Sequence, residues 1–143
     1  MKVSILGAGN IGGAIARGLL AARPDDVRLT LTRRDVSALA ELAAAGAKTT
    51  DDNRAAVAEA DAVLVCVQPA QVRGLIEEIR PELARRRPML ASVATNVTLD
   101  ELGQWTAIEG LPLFRVMPNT AVAVGESMRS EEHTSELQSL LII

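Results

Sequence analysis

A five-residue stretch, Lys2-Val3-Ser4-Ile5-Leu6, runs straight into Gly7-Ala8-Gly9-Asn10-Ile11-Gly12. A bare GxGxxG constrains little, because glycine-rich loops are common. Here an apolar strand precedes it, helical spacing follows, and a second strand begins about twenty residues on, which is the setting in which such a turn holds a dinucleotide. Gly7 permits the tight turn, Gly9 keeps a side chain from standing between backbone and diphosphate, and Gly12 lets the helix lie close to the strand. The unpaired N–H groups of the first helical turn, at the positive end of the helix dipole, then face an anion. Leu6, Gly7, Gly9, Asn10, Ile11 and Gly12 are therefore the first candidate binding residues.

Strand and helix signals alternate along the rest of the chain. Ile11, Ala14, Ile15, Gly18, Leu19 and Ala22 repeat at helical spacing, and Pro24-Asp25-Asp26 ends that helix. Val27 to Thr32 reads as a second strand. Asp35 caps a helix through Leu39 and Leu42 that Gly46 terminates. Ala47 to Thr50 reads as a third strand, followed by a capped turn at Asp51 and a helix to Ala60. Ala62 to Val67 is apolar at every position, as a central parallel strand covered on both faces should be. Val72, Leu75, Ile76 and Ile79 mark the next helix, and Met89 to Val93 a fifth strand. Thr98-Leu99-Asp100-Glu101 is a capping box, Trp105 packs the helix it opens, and Leu113 to Val116 gives a sixth strand. The expected fold is α/β, a doubly wound (Rossmann) parallel sheet of about six strands.

Charge and composition exclude several functions. Of 143 residues, 48% are apolar and 23% charged, and the net charge of −3 argues against a nucleic-acid surface. Arg85-Arg86-Arg87 does not change that, since it closes an amphipathic segment before Pro88, where cations suit a helix C-terminus. No apolar run reaches the length of a membrane span, and no signal peptide is expected before the first strand. A soluble cytoplasmic protein is expected. Cys66, inside an apolar run, reads as a small buried side chain, and one cysteine with one histidine makes no metal site.

From Arg129 onward the sequence resembles the translation of a sequencing-library adapter. Residues 1–128 are expected to form one dinucleotide-binding domain and 129–143 a non-native tail. His133 then has no catalytic role. Without that tail, 14 basic side chains face 15 acidic ones.

In a doubly wound sheet the ligand lies across the carboxyl ends of the strands, where strand order reverses. A reader of NAD places Asp or Glu at the end of the second strand to accept from the ribose hydroxyls. This chain places Thr32-Arg33-Arg34 there. A guanidinium accepts no hydrogen bond but pairs well with a phosphate dianion, so NADP(H) is the favoured cofactor. Asp35 follows one residue later and is also a potential helix cap. Asn53 is either a ribose contact or simply the start of a helix. Val67-Gln68-Pro69 and Ala94-Thr95-Asn96 end the fourth and fifth strands and should border the nicotinamide half.

Arg115-Val116-Met117-Pro118-Asn119-Thr120, with Gly125 after it, follows the sixth strand. Together with the glycine turn and Val67-Gln68-Pro69, it resembles the N-terminal domain of pyrroline-5-carboxylate reductases, over Met1 to about Met128. Gln68 stands where that family usually has lysine, Ala121 where a second proline is frequent, and Asn96 where glycine is usual. The resemblance implies hydride transfer from NADPH to the C=N carbon of a cyclic imine acid, giving proline. It places Asn96, Met117, Pro118 and Asn119 near the substrate and leaves no catalytic acid or base in this chain. It also implies a homo-oligomeric full-length enzyme whose C-terminal helical dimerisation domain is missing here, so that the fragment is inactive alone. Another two-domain reductase, such as a β-hydroxyacid dehydrogenase or an F420-dependent NADP reductase, stays open, as does a non-catalytic NADP(H)-sensing module.

Overall fold

The computed structural model describes residues 1–22 and 25–117. Six strands form one parallel sheet: β1 (Lys2–Leu6), β2 (Arg28–Thr32), β3 (Lys48–Thr50), β4 (Ala62–Val65), β5 (Met89–Ser92) and β6 (Leu113–Arg115), in the order β3-β2-β1-β4-β5-β6. Strand order reverses between β1 and β4, which sets the place of the crevice. The helices are α1 (Asn10–Ala22), α2 (Ala40–Ala44), α3 (Asn53–Ala58), α4 (Pro69–Arg86) and α5 (Leu99–Thr106).

Alternation along the central strands builds two cores, one on each face of the sheet. Leu6, Val63, Val65 and Leu90 face Val57, Val72, Ile76, Leu83 and Leu102 from α3, α4 and α5. Ile5, Leu31, Leu64 and Ala91 face Ile15, Ala16, Leu19 and Leu42 from α1 and α2. Every residue of β4 is buried, as its unbroken apolar run predicts.

Most element ends follow the expected chemistry. The Thr98 hydroxyl accepts from Glu101 N–H at 3.1 Å while Glu101 Oε1 accepts from Thr98 N–H at 3.0 Å, completing the capping box of α5. The arginine run closes α4. Arg87 is its left-handed cap, with φ 52°, and donates to the Glu109 carbonyl at 2.7 Å. Arg86 reaches back to the Ala60 carbonyl and to Asp61 Oδ1 at 3.0 and 2.7 Å. Trp105 packs partly buried against the core, and its carbonyl accepts two hydrogen bonds from Arg80.

Several boundaries differ from the sequence reading: β2, β3, β5 and β6 are each one residue shorter, α3 ends at Ala58 and not Ala60, and three further differences lie at Asp52, Asp35 and Val65. Asp52, not Asp51, caps α3, because the Thr50 hydroxyl accepts from Asp52 N–H and leaves Asp52 Oδ1 facing Ala55 N–H. Asp35 opens a 3₁₀ turn, Val36–Leu39, before α2. Strand β4 stops at Val65; Cys66 N–H still donates to the Leu6 carbonyl at 2.9 Å, and Cys66 and Val67 wall the crevice. Pro118 and Asn119, the rest of the Met117–Gly125 motif and His133 lie outside the described residues.

Candidate functional site

The three glycines of the turn occupy three different environments. Gly7 has φ +80°, and a Cβ there would meet Val67 Cγ1 at 2.5 Å. A Cβ on Gly12 would sit 3.1 Å from Ile5 Cγ2 and 3.3 Å from Cys66 Cβ, so this glycine brings α1 down onto β1 and β4. Among the described residues, a Cβ on Gly9 would find only the Gly7 carbonyl, 4.0 Å away. The space above Gly9 is thus open, and that is where a diphosphate needs room.

The backbone of this turn is tied down from within. Gly9 N–H donates to the Gly7 carbonyl at 2.7 Å, and Gly13 N–H makes the first bond of α1, to the Gly9 carbonyl at 2.8 Å. The N–H groups of Asn10, Ile11 and Gly12 have no backbone acceptor among the described residues. They are the unpaired donors of a helix start, available to an anion.

Beneath the turn lies the end of β2. The Thr32 carbonyl accepts from Gly7 and Ala8 N–H at 3.1 and 2.8 Å. Its hydroxyl accepts from Gly7 N–H at 3.2 Å and donates to Asn53 Oδ1 at 2.5 Å, and Asn53 Nδ2 in turn donates to Glu78 Oε2 at 3.4 Å. Thr32 is buried, so it supports the turn from below. Leu6 is fully buried too; its side chain belongs to the core, and its carbonyl accepts from Cys66 N–H.

Arg33 and Arg34 follow, exposed, and neither joins an ion pair among the described residues. Asp35 follows and borders the crevice with them. Its carboxylate accepts from the Ser37 hydroxyl and, at 3.1 Å, from Ser37 N–H; those bonds, with the Arg33 charge, hold its pKa below the usual carboxylate range. The cap role thus engages Oδ1 of this carboxylate.

A crevice of about 750 Å³ runs over these strand ends, and Gly7, Gly9, Arg33, Arg34, Asn53 and Gln68 all border it. Gln68 precedes α4, its N–H donating to Gln71 Oε1 at 3.3 Å, and Pro69 opens the helix where no N–H is needed. Sequence reasoning missed the α4 stripe that walls the crevice, Gln71, Gly74, Leu75 and Glu78. Its helical spacing was the only available signal.

The end of β5 stands beside this crevice and does not line it. Ala94 is buried, its N–H bound to the Ser92 hydroxyl at 3.2 Å, whereas Thr95 and Asn96 are exposed. Asn96 has φ 62°. That left-handed backbone favours glycine, and asparagine is among the side chains that tolerate it best. Met117 is exposed beyond β6. Cys66 borders the crevice with its thiol pushed up to about 12 by burial, so it is no nucleophile at neutral pH. No group of three His, Cys, Asp or Glu side chains among the described residues is placed to hold a metal ion, and no described helix is long and apolar enough to cross a membrane.

The geometry has known counterparts. A family model described as "NADP oxidoreductase coenzyme F420-dependent" matches residues 2–95. Pyrroline-5-carboxylate reductase 1 of Dictyostelium discoideum is 33% identical over 127 residues, covering 88% of this chain and 23% of the relative. The Corynebacterium melassecola pyrroline-5-carboxylate reductase is 33% identical over 129 residues, covering 88% of this chain and 47% of the relative. Among solved structures, a pyrroline-5-carboxylate reductase from Coxiella burnetii superposes with a TM-score of 0.73 at 30% identity, over 82% of this chain and 43% of that one. The chain spans less than half the length of the curated relatives it matches.

Proposed function

The chain belongs to the NADP oxidoreductase coenzyme F420-dependent family, and on that footing we propose that it is the NADP(H)-binding half of a pyrroline-5-carboxylate reductase, reducing the C=N bond of a cyclic imine acid to give proline. Residues 1–128 as the binding domain and 129–143 as a non-native tail are part of the same reading. One observation carries it: Gly9, with open space over it, borders one crevice together with Arg33 and Arg34, which join no ion pair among the described residues, and the helix start with three N–H groups lacking a backbone acceptor follows Gly9 directly.

When bound, a reduced nicotinamide supplies a hydride to the imine carbon. The chain's own residues bind and orient. Asn10, Ile11 and Gly12 offer their N–H groups to the diphosphate, and the absent Gly9 side chain admits it. Arg33 and Arg34 pair with the 2′-phosphate, beside Asp35, whose Oδ1 is engaged by Ser37. Asn53, held by Thr32 and Glu78, faces the adenosine ribose. Val67, Gln68 and Pro69, with Ala94 and Thr95 beyond them, border the nicotinamide half. Asn96 and Met117, followed by Pro118 and Asn119, lead towards the substrate. A protonated imine is already electrophilic, so positioning suffices and no strong general acid is required.

Titration of the chain with NADPH and with NADH, read by nicotinamide fluorescence and by the rise in unfolding temperature, tests this reading. NADPH should bind at least tenfold more tightly. Equal affinity removes the phosphate assignment, and no stabilisation by either nucleotide removes the site.

A further inference from the structure

A second feature of the molecule has no part in the dinucleotide crevice. The strands β1, β2 and β3 each open on a cation, Lys2, Arg28 and Lys48. Their register puts all three on one face: Lys2 pairs with Arg28, and the next row on that face runs Ser4, Thr30, Lys48 across the three strands. This is the face that α3 covers, as the hydrogen bond from the Ser4 hydroxyl to the Ala56 carbonyl at 2.6 Å shows. But α3 has only six residues, Asn53–Ala58. It leaves the amino ends of β2 and β3 bare, and a groove of about 460 Å³ remains between sheet and helix, with Val27 and Glu59 at its margins.

The charge pattern of that groove is unfavourable on its own terms. Like charges placed directly opposite in a ladder destabilise the sheet, and Lys2 faces Arg28. None of the three cations joins an ion pair among the described residues. Glu59 is the single acidic side chain lining the groove. A local conflict of this kind in an otherwise consistent fold is where a functional surface is sought, although a cation also guards an edge strand such as β3. The floor carries the Thr30 hydroxyl between the cations, so the groove offers ammonium, guanidinium and hydroxyl donors together.

We propose that this groove binds a small oxyanion carrying two or more negative charges, at a site separate from the dinucleotide. A guanidinium fork flanked by two ammonium groups matches clustered phosphate-type oxygens. Its concavity and volume fit a small molecule. An extended polyanion meets a chain whose net charge is −3. The groove runs from the amino ends of β1 and β2 as far as Thr50 and shares no lining residue with the crevice, which begins at the neighbouring Asp51.

The test uses pyrophosphate as probe, followed residue by residue by amide NMR in the 143-residue chain. The amides of Lys2, Arg28, Thr30 and Lys48 should shift, and the Arg28→Gln/Lys48→Gln double variant should weaken that response at least tenfold while NADPH affinity stays unchanged. Because these side chains are exposed, the variant should unfold at the same or a higher temperature in low salt; Lys48→Gln alone serves if it does not. Pyrophosphate shifts confined to Gly7–Gly13 and Arg33, an unaltered response in the variant, or tighter binding of a glutamate-rich peptide than of pyrophosphate would overturn the proposal. Loss of NADPH binding with the groove response intact counts against the cofactor reading alone.

Discussion

The hydroxyl of Thr32 donates to Asn53 Oδ1 at 2.5 Å while it accepts from Gly7 N–H at 3.2 Å, so one buried side chain links the glycine turn to the start of α3. Thr32→Val keeps the shape and removes both contacts. It should cost about 1 kcal/mol of stability in urea unfolding, because Gly7 N–H keeps its other acceptor, the Thr32 carbonyl. NADPH affinity should fall as Asn53 loses its anchor. A variant with unchanged affinity would make Thr32 purely structural.

Gly7 and Gly9, two residues apart, should respond oppositely to alanine. At Gly7 the positive φ and the 2.5 Å approach to Val67 both oppose a Cβ, so Gly7→Ala should lose more than the roughly 1–2 kcal/mol of the left-handed backbone alone. At Gly9 a Cβ meets nothing closer than 4.0 Å. Gly9→Ala should melt within a few degrees of the parent yet lose dinucleotide binding. Thermal unfolding and NADPH titration on the same two proteins separate the effects.

Arg33→Asp should weaken NADPH at least tenfold, the effect of losing a charge-assisted contact of about 1.5–3 kcal/mol. NADH should change little. The NADPH loss should shrink as salt is raised, because the site is exposed. Parallel losses for both nucleotides would move the phosphate pocket elsewhere.

Glu82 on α4 is buried and accepts from Arg54 Nε and Nη2 at 2.9 and 3.1 Å. The Arg54 hydrogen bond holds its pKa below the ordinary glutamate value of 4.5. A carboxylate with a depressed folded pKa contributes stability that is fully present above the unfolded value and disappears as pH falls through the folded one. Glu82→Gln should therefore be less stable than the parent at pH 7, and the gap should close below pH 4.5. Urea midpoints across pH 7 to 3 measure it; a gap constant with pH would deny the ion pair its role.

Cys66, with its thiol pushed up to about 12, should resist iodoacetamide at pH 8 in the folded chain and react readily in denaturant. Cys66→Ala should retain NADPH binding. Rapid alkylation of the folded chain would contradict the burial of this side chain.

Much of this architecture is legible in the sequence because its signals are local. The apolar run of β4, the capping box at Thr98 and the arginines closing α4 each declare themselves within a few residues. The glycine turn is likewise local, and its three glycines occupy three different environments. What stayed hidden depends on contacts between distant positions. The Thr32–Asn53 bond spans 21 residues and the Arg54–Glu82 pair 28, and no periodicity predicts either. The sequence left Asp35 between cap and ribose acceptor, and its cap role appears only in its bonds to Ser37. The bare patch over β2 and β3 follows from the shortness of α3, whose expected end at Ala60 gives way to Ala58.

The amide of Gly9, bonded back to the Gly7 carbonyl at 2.7 Å, gives the turn the character of a finished mould. A partner entering such a mould finds little to rearrange, so association should proceed in a single kinetic phase, unhindered by any slow closing step at this loop. The entropy of fixing the backbone is spent during folding rather than at docking. Differences in affinity among nucleotides should then surface in how long each one stays.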